Sequence, residues 1–149
     1  MDKNWQNQRK NSYFYNMRRF HNYVKRGMYN KYSYGKSVLE LSVGKLGDAS
    51  KLFDNNVSKV VGYDIDARSI QEARRRLAEY PKRFQDKVEL SVLDLSTNVI
   101  SGNQSFDVIS VMFALHYFFR DESSLLTILH SIDNNITIGG YLIGTMFNG

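Results

Sequence analysis

The chain has 149 residues, a net charge of +5 and no cysteine, a length that suits one compact domain. The missing cysteines exclude disulfides, thiolate metal sites and cysteine nucleophiles. Because no apolar run approaches the ~20 residues of a membrane span and the N-terminus lacks the apolar core of a signal peptide, we expect a soluble intracellular protein.

The basic charge is concentrated at the N-terminus. Residues 1–36 contain nine Lys/Arg and one acid, whereas residues 37–149 contain eleven Lys/Arg and fourteen acids. Tyrosine and phenylalanine are interleaved with these bases, at Tyr13, Phe14, Tyr15, Phe20, Tyr23, Tyr29, Tyr32 and Tyr34. Such a segment suits phosphate attraction and base stacking. The alternative is a solvated helix whose aromatic residues pack on the domain.

The first half of the chain predicts a helix, two strands and two further helices. We expect residues 1–12 to be a disordered basic start and residues 13–149 to form one domain. Apolar residues at three- and four-residue spacing predict a helix over 13–28, namely Phe14, Met17, Phe20, Val24 and Met28. Residues 37–42 read as a strand, 43–48 as a glycine-bearing turn, and the following residues as a helix through Phe53.

A second strand over 59–63 ends at Asp64. The next helix is capped by Asp66 or Ser69 and ends before Pro81, with an inner face formed by Ile70, Ala73, Leu77 and Tyr80.

The second half predicts three more strands and one helix. Residues 87–92 form a third strand that ends at Asp94, and residues 106–113 a fourth. The helix that follows is marked by Leu125, Leu129, Ile132 and Ile136. Gly139 and Gly140 are expected to turn the chain into a fifth strand over 141–146.

Strands that alternate with helices predict a Rossmann-like α/β fold with a mostly parallel sheet flanked by helices. The apolar run 108–111 agrees, since parallel strands are buried on both faces. Because the sequence stops after the fifth strand, we expect a C-terminally truncated or compact domain.

Ligands of open α/β sheets bind beyond the carboxyl ends of the strands. An acid after the second strand, Asp64, can accept from ribose hydroxyls. Asp94 can accept from an adenine amino group, while the Leu95 amide donates into the ring. Each feature alone could be a turn former or a cap, but the ordered set predicts an adenosine site. The turn Ser42–Gly47 does not match G-x-G-x-x-G, which disfavours a dinucleotide enzyme.

Several segments resemble one family, the mRNA cap guanine-N7 methyltransferases of eukaryotes and large DNA viruses. They read FHNYVK (20–25), VLELSVGKLGD (38–48), VGYDID (61–66), FDVISVMFALHY (106–117) and GGYLIGT (139–145). The resemblance implies an S-adenosylmethionine-dependent methyltransferase that acts on the capped 5′ end of RNA. It also implies a location in the nucleus or a cytoplasmic viral factory, and other capping-enzyme domains or an activating subunit as candidate partners.

The resemblance also implies roles for individual residues. Lys25 would hold the carboxylate of S-adenosylmethionine, Asp64 its ribose, and Asp94 with Leu95 its adenine. The glycine turn and the end of the fourth strand would complete the cofactor site through Ser42, Gly44, Met112 and Tyr117. The cap would contact His21, Asn22, Lys45, Lys51, Arg76 and His116, with Lys45, Lys51 and Arg76 facing its phosphates.

The chain departs from the family pattern at several positions. Ser42 and Leu46 stand where the family favours glycine, Glu40 replaces an aspartate, and Met112 replaces a glutamine.

Methyl transfer to guanine N7 needs orientation rather than a catalytic side chain, because N7 has a free lone pair and the sulfonium is already a strong donor. No catalytic or metal-binding residue is therefore expected. Two alternatives remain open: an S-adenosylmethionine methyltransferase with another substrate, and a catalytically inactive binding or scaffold subunit.

Overall fold

The computed structural model describes residues 10–147, so most of the predicted N-terminal start (1–12) lies outside the described residues. Five helices, one 3₁₀ helix and five strands follow one another in these described residues. In order they are α1 (Tyr15–Tyr32), β1 (Ser37–Leu41), α2 (Ala49–Asp54), β2 (Lys59–Asp64), α3 (Ala67–Leu77), α4 (Lys82–Gln85), β3 (Val88–Val92), β4 (Phe106–Met112), the 3₁₀ helix (Leu115–Arg120), α5 (Glu122–Asn135) and β5 (Ile136–Thr145).

The five strands form one sheet in the order β3-β2-β1-β4-β5. Every neighbouring pair is parallel, which confirms the predicted Rossmann-like fold class. The order runs outward from β1 in one direction to β3 and in the other to β5. The ends of β1 and β4 therefore lie side by side at the point where the order reverses, which is where such sheets bind ligands.

Apolar side chains cover both faces of the sheet, because successive residues of a strand point to opposite sides. On one face Val38 packs in a cluster with Tyr29 of α1 and Leu52 of α2. On the other face Leu39 packs with Phe118 of the 3₁₀ helix and residues of α5. A third cluster joins α2 and α3 through Phe53 and Ala73. No helix among residues 10–147 is long and apolar enough to cross a bilayer.

The structure changes the predicted bounds of α1 and shows which of its apolar residues are buried. The helix begins two residues later than predicted and continues to Tyr32. Phe14 is 53%, Met17 43% and Phe20 63% exposed, whereas Tyr29 is fully buried. The apolar spacing correctly indicates a helix, but its N-terminal half extends past the surface that its C-terminal half packs against.

The structure also corrects the C-terminal elements. Leu129 lies in α5 as predicted but is exposed, whereas Ile136 caps the helix and begins β5. Gly139 and Gly140 lie within β5 rather than in a turn before it. They accompany a register shift between β4 and β5, and Gly139 has a φ of 79° that favours glycine.

Candidate active site

A cavity of about 190 Å³ opens at the carboxyl ends of the strands. Its walls combine acidic, aromatic and apolar residues, namely Ser42, Ile65, Leu93, Asp94, Leu95, Ser96, Tyr117, Phe118 and Arg120. The predicted cofactor residues Ser42, Asp94, Leu95 and Tyr117 therefore surround one space. Five lining residues were not predicted from the sequence, namely Ile65, Leu93, Ser96, Phe118 and Arg120. Ile65 is recognisable as the residue that follows the acid at the end of β2.

Asp64 fixes the turn after β1. One carboxylate oxygen accepts from the Gly44 amide at 2.8 Å and the other from the Asp66 amide at 2.9 Å. Asp64 is not among the residues that line the cavity, although the next residue, Ile65, forms part of its wall.

The turn itself is left-handed at several positions. Ser42 has a φ of 61°, Gly44 of 56° and Leu46 of 57°. These values explain why glycine suits the positions of Ser42 and Leu46, since other residues rarely adopt them.

Asp94 is held in a short loop beyond β3. Its carboxylate accepts from the Ser96 hydroxyl at 2.6 Å and the Ser96 amide at 2.9 Å. These hydrogen bonds, the hydroxyl's above all, lower the pKa of Asp94 below its usual value. Arg120 donates to the Ser96 hydroxyl oxygen at 3.0 Å, so the 3₁₀ helix is tied to this loop. The result is an ionised acceptor in the cavity wall.

Four rings form a cluster beside the cavity. The His21 ring of α1 lies 4.4 Å from the Phe113 ring, measured between centroids, and Phe147 lies 5.3 Å from Phe113. The His116 ring is 5.4 Å from Phe147 and 4.2 Å from Tyr117, which connects the cluster to the cavity.

Phe113 adopts a left-handed φ of 55°, and His116 has a buried Nδ1 without a hydrogen-bond partner. Of the predicted cap residues, His21 and His116 meet here. Phe113 and Phe147 were not singled out from the sequence, since only the fold brings them to α1.

A carboxylate shared by two lysines lies near this cluster. Asp48 is 2.7 Å from the Lys25 ammonium and 2.8 Å from that of Lys51. The side chains of Lys25 and Asp48 are 16% and 15% exposed, and that of Lys51 only 4%. Lys25 also lies 6.0 Å from the centroid of the Phe113 ring. The buried ion pair gives Lys51 a structural role, and its predicted phosphate contact stays a prediction.

The remaining predicted residues are distributed around this region. Arg76 donates to the Lys45 carbonyl at 3.3 Å and to the Glu72 carboxylate at 3.0 Å. The predicted phosphate contacts Lys45 and Arg76 therefore lie next to each other. Asn22 is exposed on α1. Met112 is half-buried against the cluster formed by Tyr29 and its neighbours, and its sulfur accepts a hydrogen bond from Thr145 at 3.7 Å.

A polar network is buried beneath the site. The Tyr29 hydroxyl donates to Glu40 at 2.6 Å and lies 2.9 Å from the Ser110 hydroxyl. Burial raises the pKa of Glu40 to about 7, and the negative charge of Asp48 adds to this effect. Burial also raises the pKa of Tyr29 well above its usual value. Glu40 at the centre of the sheet is therefore coupled to the Asp48 cluster.

Solved methyltransferases share this architecture at low sequence identity. The glycopeptide N-methyltransferase MtfA in complex with S-adenosyl-L-methionine has a TM-score of 0.67 and 20% identity, covering 81% of this chain and 48% of that one. Its complex with sinefungin has a TM-score of 0.70 and 19% identity, covering 83% and 49%. These similarities show the fold.

Curated relatives carry more specific names. The mRNA cap guanine-N(7) methyltransferase of Schizosaccharomyces pombe is 28% identical, covering 89% of this chain and 39% of its own length. That of Candida glabrata is 31% identical, covering 87% and 33%. The probable mRNA-capping enzyme of Acanthamoeba polyphaga mimivirus is 26% identical, covering 89% and 14%. The chain thus spans 39% or less of these relatives.

The family model for the mRNA (guanine-N(7))-methyltransferase domain matches residues 1–149. That match spans the turn after β1, the acids after β2 and β3 and the rings after β4. The chain belongs to the mRNA (guanine-N(7))-methyltransferase family.

Proposed function

We propose that this chain binds S-adenosylmethionine in the cavity and takes part in methyl transfer to N7 of an RNA cap guanine. One observation carries the proposal: Tyr117 lines the cavity, and the ring of its neighbour His116 contacts both Tyr117 and the aromatic cluster. A cofactor site and a site for a flat base would therefore adjoin. The names of the curated relatives support the same chemistry.

The donors and acceptors around the cavity fit the adenosyl group. Carboxylates at Asp64 and Asp94 would accept from ribose hydroxyls and the adenine amino group, with the Leu95 amide donating into the ring. Ile65 and Phe118 supply apolar walls. Lys25 would exchange Asp48 for the methionine carboxylate, and that part of the cofactor would lie against Ser42, Gly44, Met112 and Tyr117.

The aromatic cluster would hold the cap guanine. Phe113 and Phe147 offer ring faces for stacking, and His21 and His116 offer ring nitrogens, including the unpartnered Nδ1 of His116. Lys45 and Arg76 would contact the phosphates through charge-assisted hydrogen bonds. Lys51 and Asn22 complete the proposed set.

The residues of this chain would act by orientation. S-adenosylmethionine supplies an activated methyl group, and guanine N7 needs no base to remove a proton. Stacking and phosphate contacts would fix N7 in line with the methyl group and exclude water. Orientation of this kind can contribute ~7–11 kcal/mol to lowering a barrier.

The first test is binding of S-adenosylhomocysteine by isothermal titration calorimetry. We expect Asp94→Ala to weaken binding about tenfold or more, because hydrogen bonds to a charged acceptor contribute ~1.5–3 kcal/mol. Asp86→Ala is the matched control, since Asp86 is an exposed acid in an ion pair with Lys82, away from the cavity lining. No binding by the wild-type chain would overturn the cofactor site and favour a scaffold.

The second test is transfer of radiolabelled methyl from S-adenosylmethionine by the chain to capped RNA and to the same RNA with a 5′ triphosphate. We expect label in the capped RNA alone. Equal labelling of the capped RNA and the 5′-triphosphate RNA would contradict the assignment of the cap as substrate and favour a methyltransferase with another substrate.

A further inference from the structure

Helix α1 presents a stripe of exposed aromatic side chains. Tyr13, in the turn two residues before the helix, is 96% exposed, and Phe20 and Tyr23 on the helix are 63% and 77% exposed. With 100° per residue, Phe20 and Tyr23 fall about 60° apart on the helix surface, and Tyr13 lies in the turn just before the helix. Exposure of several large rings on one flank is unusual for a surface without a ligand. We call these three residues the α1 stripe.

The stripe lies in a segment of one charge sign. Residues 10–32 contain six Lys/Arg and no Asp or Glu. Two of the six, Lys25 and Arg26, pair with Asp48 and Asp54 of the domain. Arg19 and Lys31 instead lie over rings of the helix itself, at 5.7 Å from Tyr15 and 5.2 Å from Tyr32. The surface therefore attracts polyanions, and it offers rings and guanidinium groups together.

The stripe is continuous with the aromatic cluster of the candidate active site. The Phe20 ring lies 6.3 Å from the His21 ring, and His21 lies 4.4 Å from Phe113. Away from the cluster, Phe20 lies about 7.5 Å along the helix axis from Tyr15, the first helical residue, and Tyr13 precedes Tyr15 by two residues. A chain that leaves the cluster toward the N-terminal end of α1 would meet Phe20 and then Tyr13, while Tyr23 lies about one turn from Phe20 in the opposite direction along the helix.

We propose that the α1 stripe binds the first nucleotides of the RNA chain behind the cap, as a single strand that stacks on Phe20 and then Tyr13, with Tyr23 beside Phe20. The direction of the RNA rests on the proposed function, which puts the cap in the aromatic cluster. Stacking on aromatic rings is sequence-tolerant and suits the varied 5′ ends of transcripts. The axial length accommodates about two or three nucleotides.

The test measures affinity against RNA length by fluorescence anisotropy. The ligands are a labelled cap dinucleotide, a capped trinucleotide and a capped single-stranded decamer. For the wild-type chain we expect affinity to rise about tenfold or more from the dinucleotide to the decamer, as stacking on several rings predicts. In the triple variant Tyr13→Ala, Phe20→Ala, Tyr23→Ala that gain should be lost, while affinity for the dinucleotide stays within about twofold.

Tyr34→Ala is the matched control, because Tyr34 is a 70% exposed tyrosine that follows α1 outside the stripe; it should keep the full gain. An unchanged thermal midpoint would show that the triple variant folds. A triple variant that keeps the gain overturns the proposal. An equal loss of affinity for duplex RNA also overturns it, because the rings would then contribute without stacking on unpaired bases. Loss of self-association with unchanged RNA binding would assign the stripe to protein contact and also overturn it.

Failure of the proposed function has a different signature. If the cap dinucleotide binds neither the wild-type chain nor the triple variant, the proposed cap site is contradicted. An uncapped decamer then still tests the stripe: weaker binding by the triple variant than by Tyr34→Ala supports it, and equal binding excludes it.

Discussion

At the scale of single residues, backbone conformation decides the shape of the turn after β1. Gly44 has a φ of 56° and its amide donates to Asp64. A Cβ added at Gly44 would meet no atom within 4 Å. The demand for glycine here is therefore conformational rather than steric.

We expect Gly44→Ala to destabilise the protein by ~1–2 kcal/mol, since an L-residue is strained in the left-handed region. Gly47→Ala is the matched control: its Cβ would also meet open space, and its φ is not in the left-handed region. Urea unfolding measures both. Equal midpoints for the two variants would contradict the conformational explanation.

Lys51 is a second residue whose environment decides its role. Its buried ammonium is one of two positive charges paired with the Asp48 carboxylate. Without Lys51, Lys25 would be the remaining partner of that carboxylate in these ion pairs. We expect Lys51→Met to destabilise the protein by ~1–3 kcal/mol, because a partly desolvated carboxylate loses a partner. Lys59→Met removes a more exposed ion pair with Glu89 and should change stability by less than about 1 kcal/mol. If both variants unfold at the same denaturant concentration, the buried pair has no special role.

At the scale of elements, the side chain of Asp66 at the N-terminal end of α3 determines where that helix begins. Asp66 accepts from the Arg68 amide at 3.2 Å, the Ser69 amide at 3.3 Å and the Ser69 hydroxyl at 2.7 Å. Asp66, rather than Ser69, is thus the cap among the two predicted candidates. The hydrogen bond from the Ser69 hydroxyl, and then those from the amides, lower the pKa of Asp66.

Asp66→Ala should lower the free energy of unfolding at neutral pH, because the helix loses its N-terminal cap. Because the folded pKa is lowered, the stabilisation is present above the unfolded pKa and is lost as pH falls through the folded value. Thermal unfolding at pH 7 and pH 2.5 measures the difference, which should shrink at acid pH. Asp66→Asn should retain most of the stability, and an equal loss in both variants would contradict capping.

At the scale of the whole molecule, the network of Glu40, Tyr29 and Ser110 joins α1, β1 and β4 in the core. Burial raises the pKa of Glu40 from 4.5 to about 7. The folded state therefore holds this proton more tightly than the unfolded state. Stability from this group is fully present below about pH 4.5, falls as pH rises to about 7, and is level above that.

We expect up to about 3 kcal/mol of stability to be lost across this window, from ~1.4 kcal/mol per pKa unit. Glu40→Gln removes the titration, so its stability should be flat between pH 5 and 8 and should exceed that of the wild type at pH 8. Urea unfolding at successive pH values measures both. Glu89→Gln, which alters an exposed acid, should follow the wild-type curve; a parallel decline in Glu40→Gln would contradict the assignment.

The predicted elements agree with the structure where the local pattern of apolar residues determines whether a segment forms a strand or a helix. Apolar strands separated by amphipathic helices led to the parallel sheet, and the acids after β2 and β3 follow from strand ends that can be read along the chain. The local pattern does not settle burial or strand pairing, because these depend on a distant element. Met17 and Leu129 fit helical spacing yet are exposed, because no opposing surface packs there within residues 10–147. Gly139 and Gly140 resemble a turn, but pairing with β4 extends β5 through them.

The sequence by itself determined the order of elements, the parallel sheet, the family and the positions of Ser42, Asp64, Asp94 and Tyr117 at strand ends, because periodicity and strand termini are local properties of the chain. Only the tertiary structure decided that Lys51 is buried on Asp48, that Phe113 and Phe147 join His21, and that the aromatic residues of α1 remain exposed. Burial and ring contacts depend on which distant segments meet, and that information is absent from the spacing of residues along one segment.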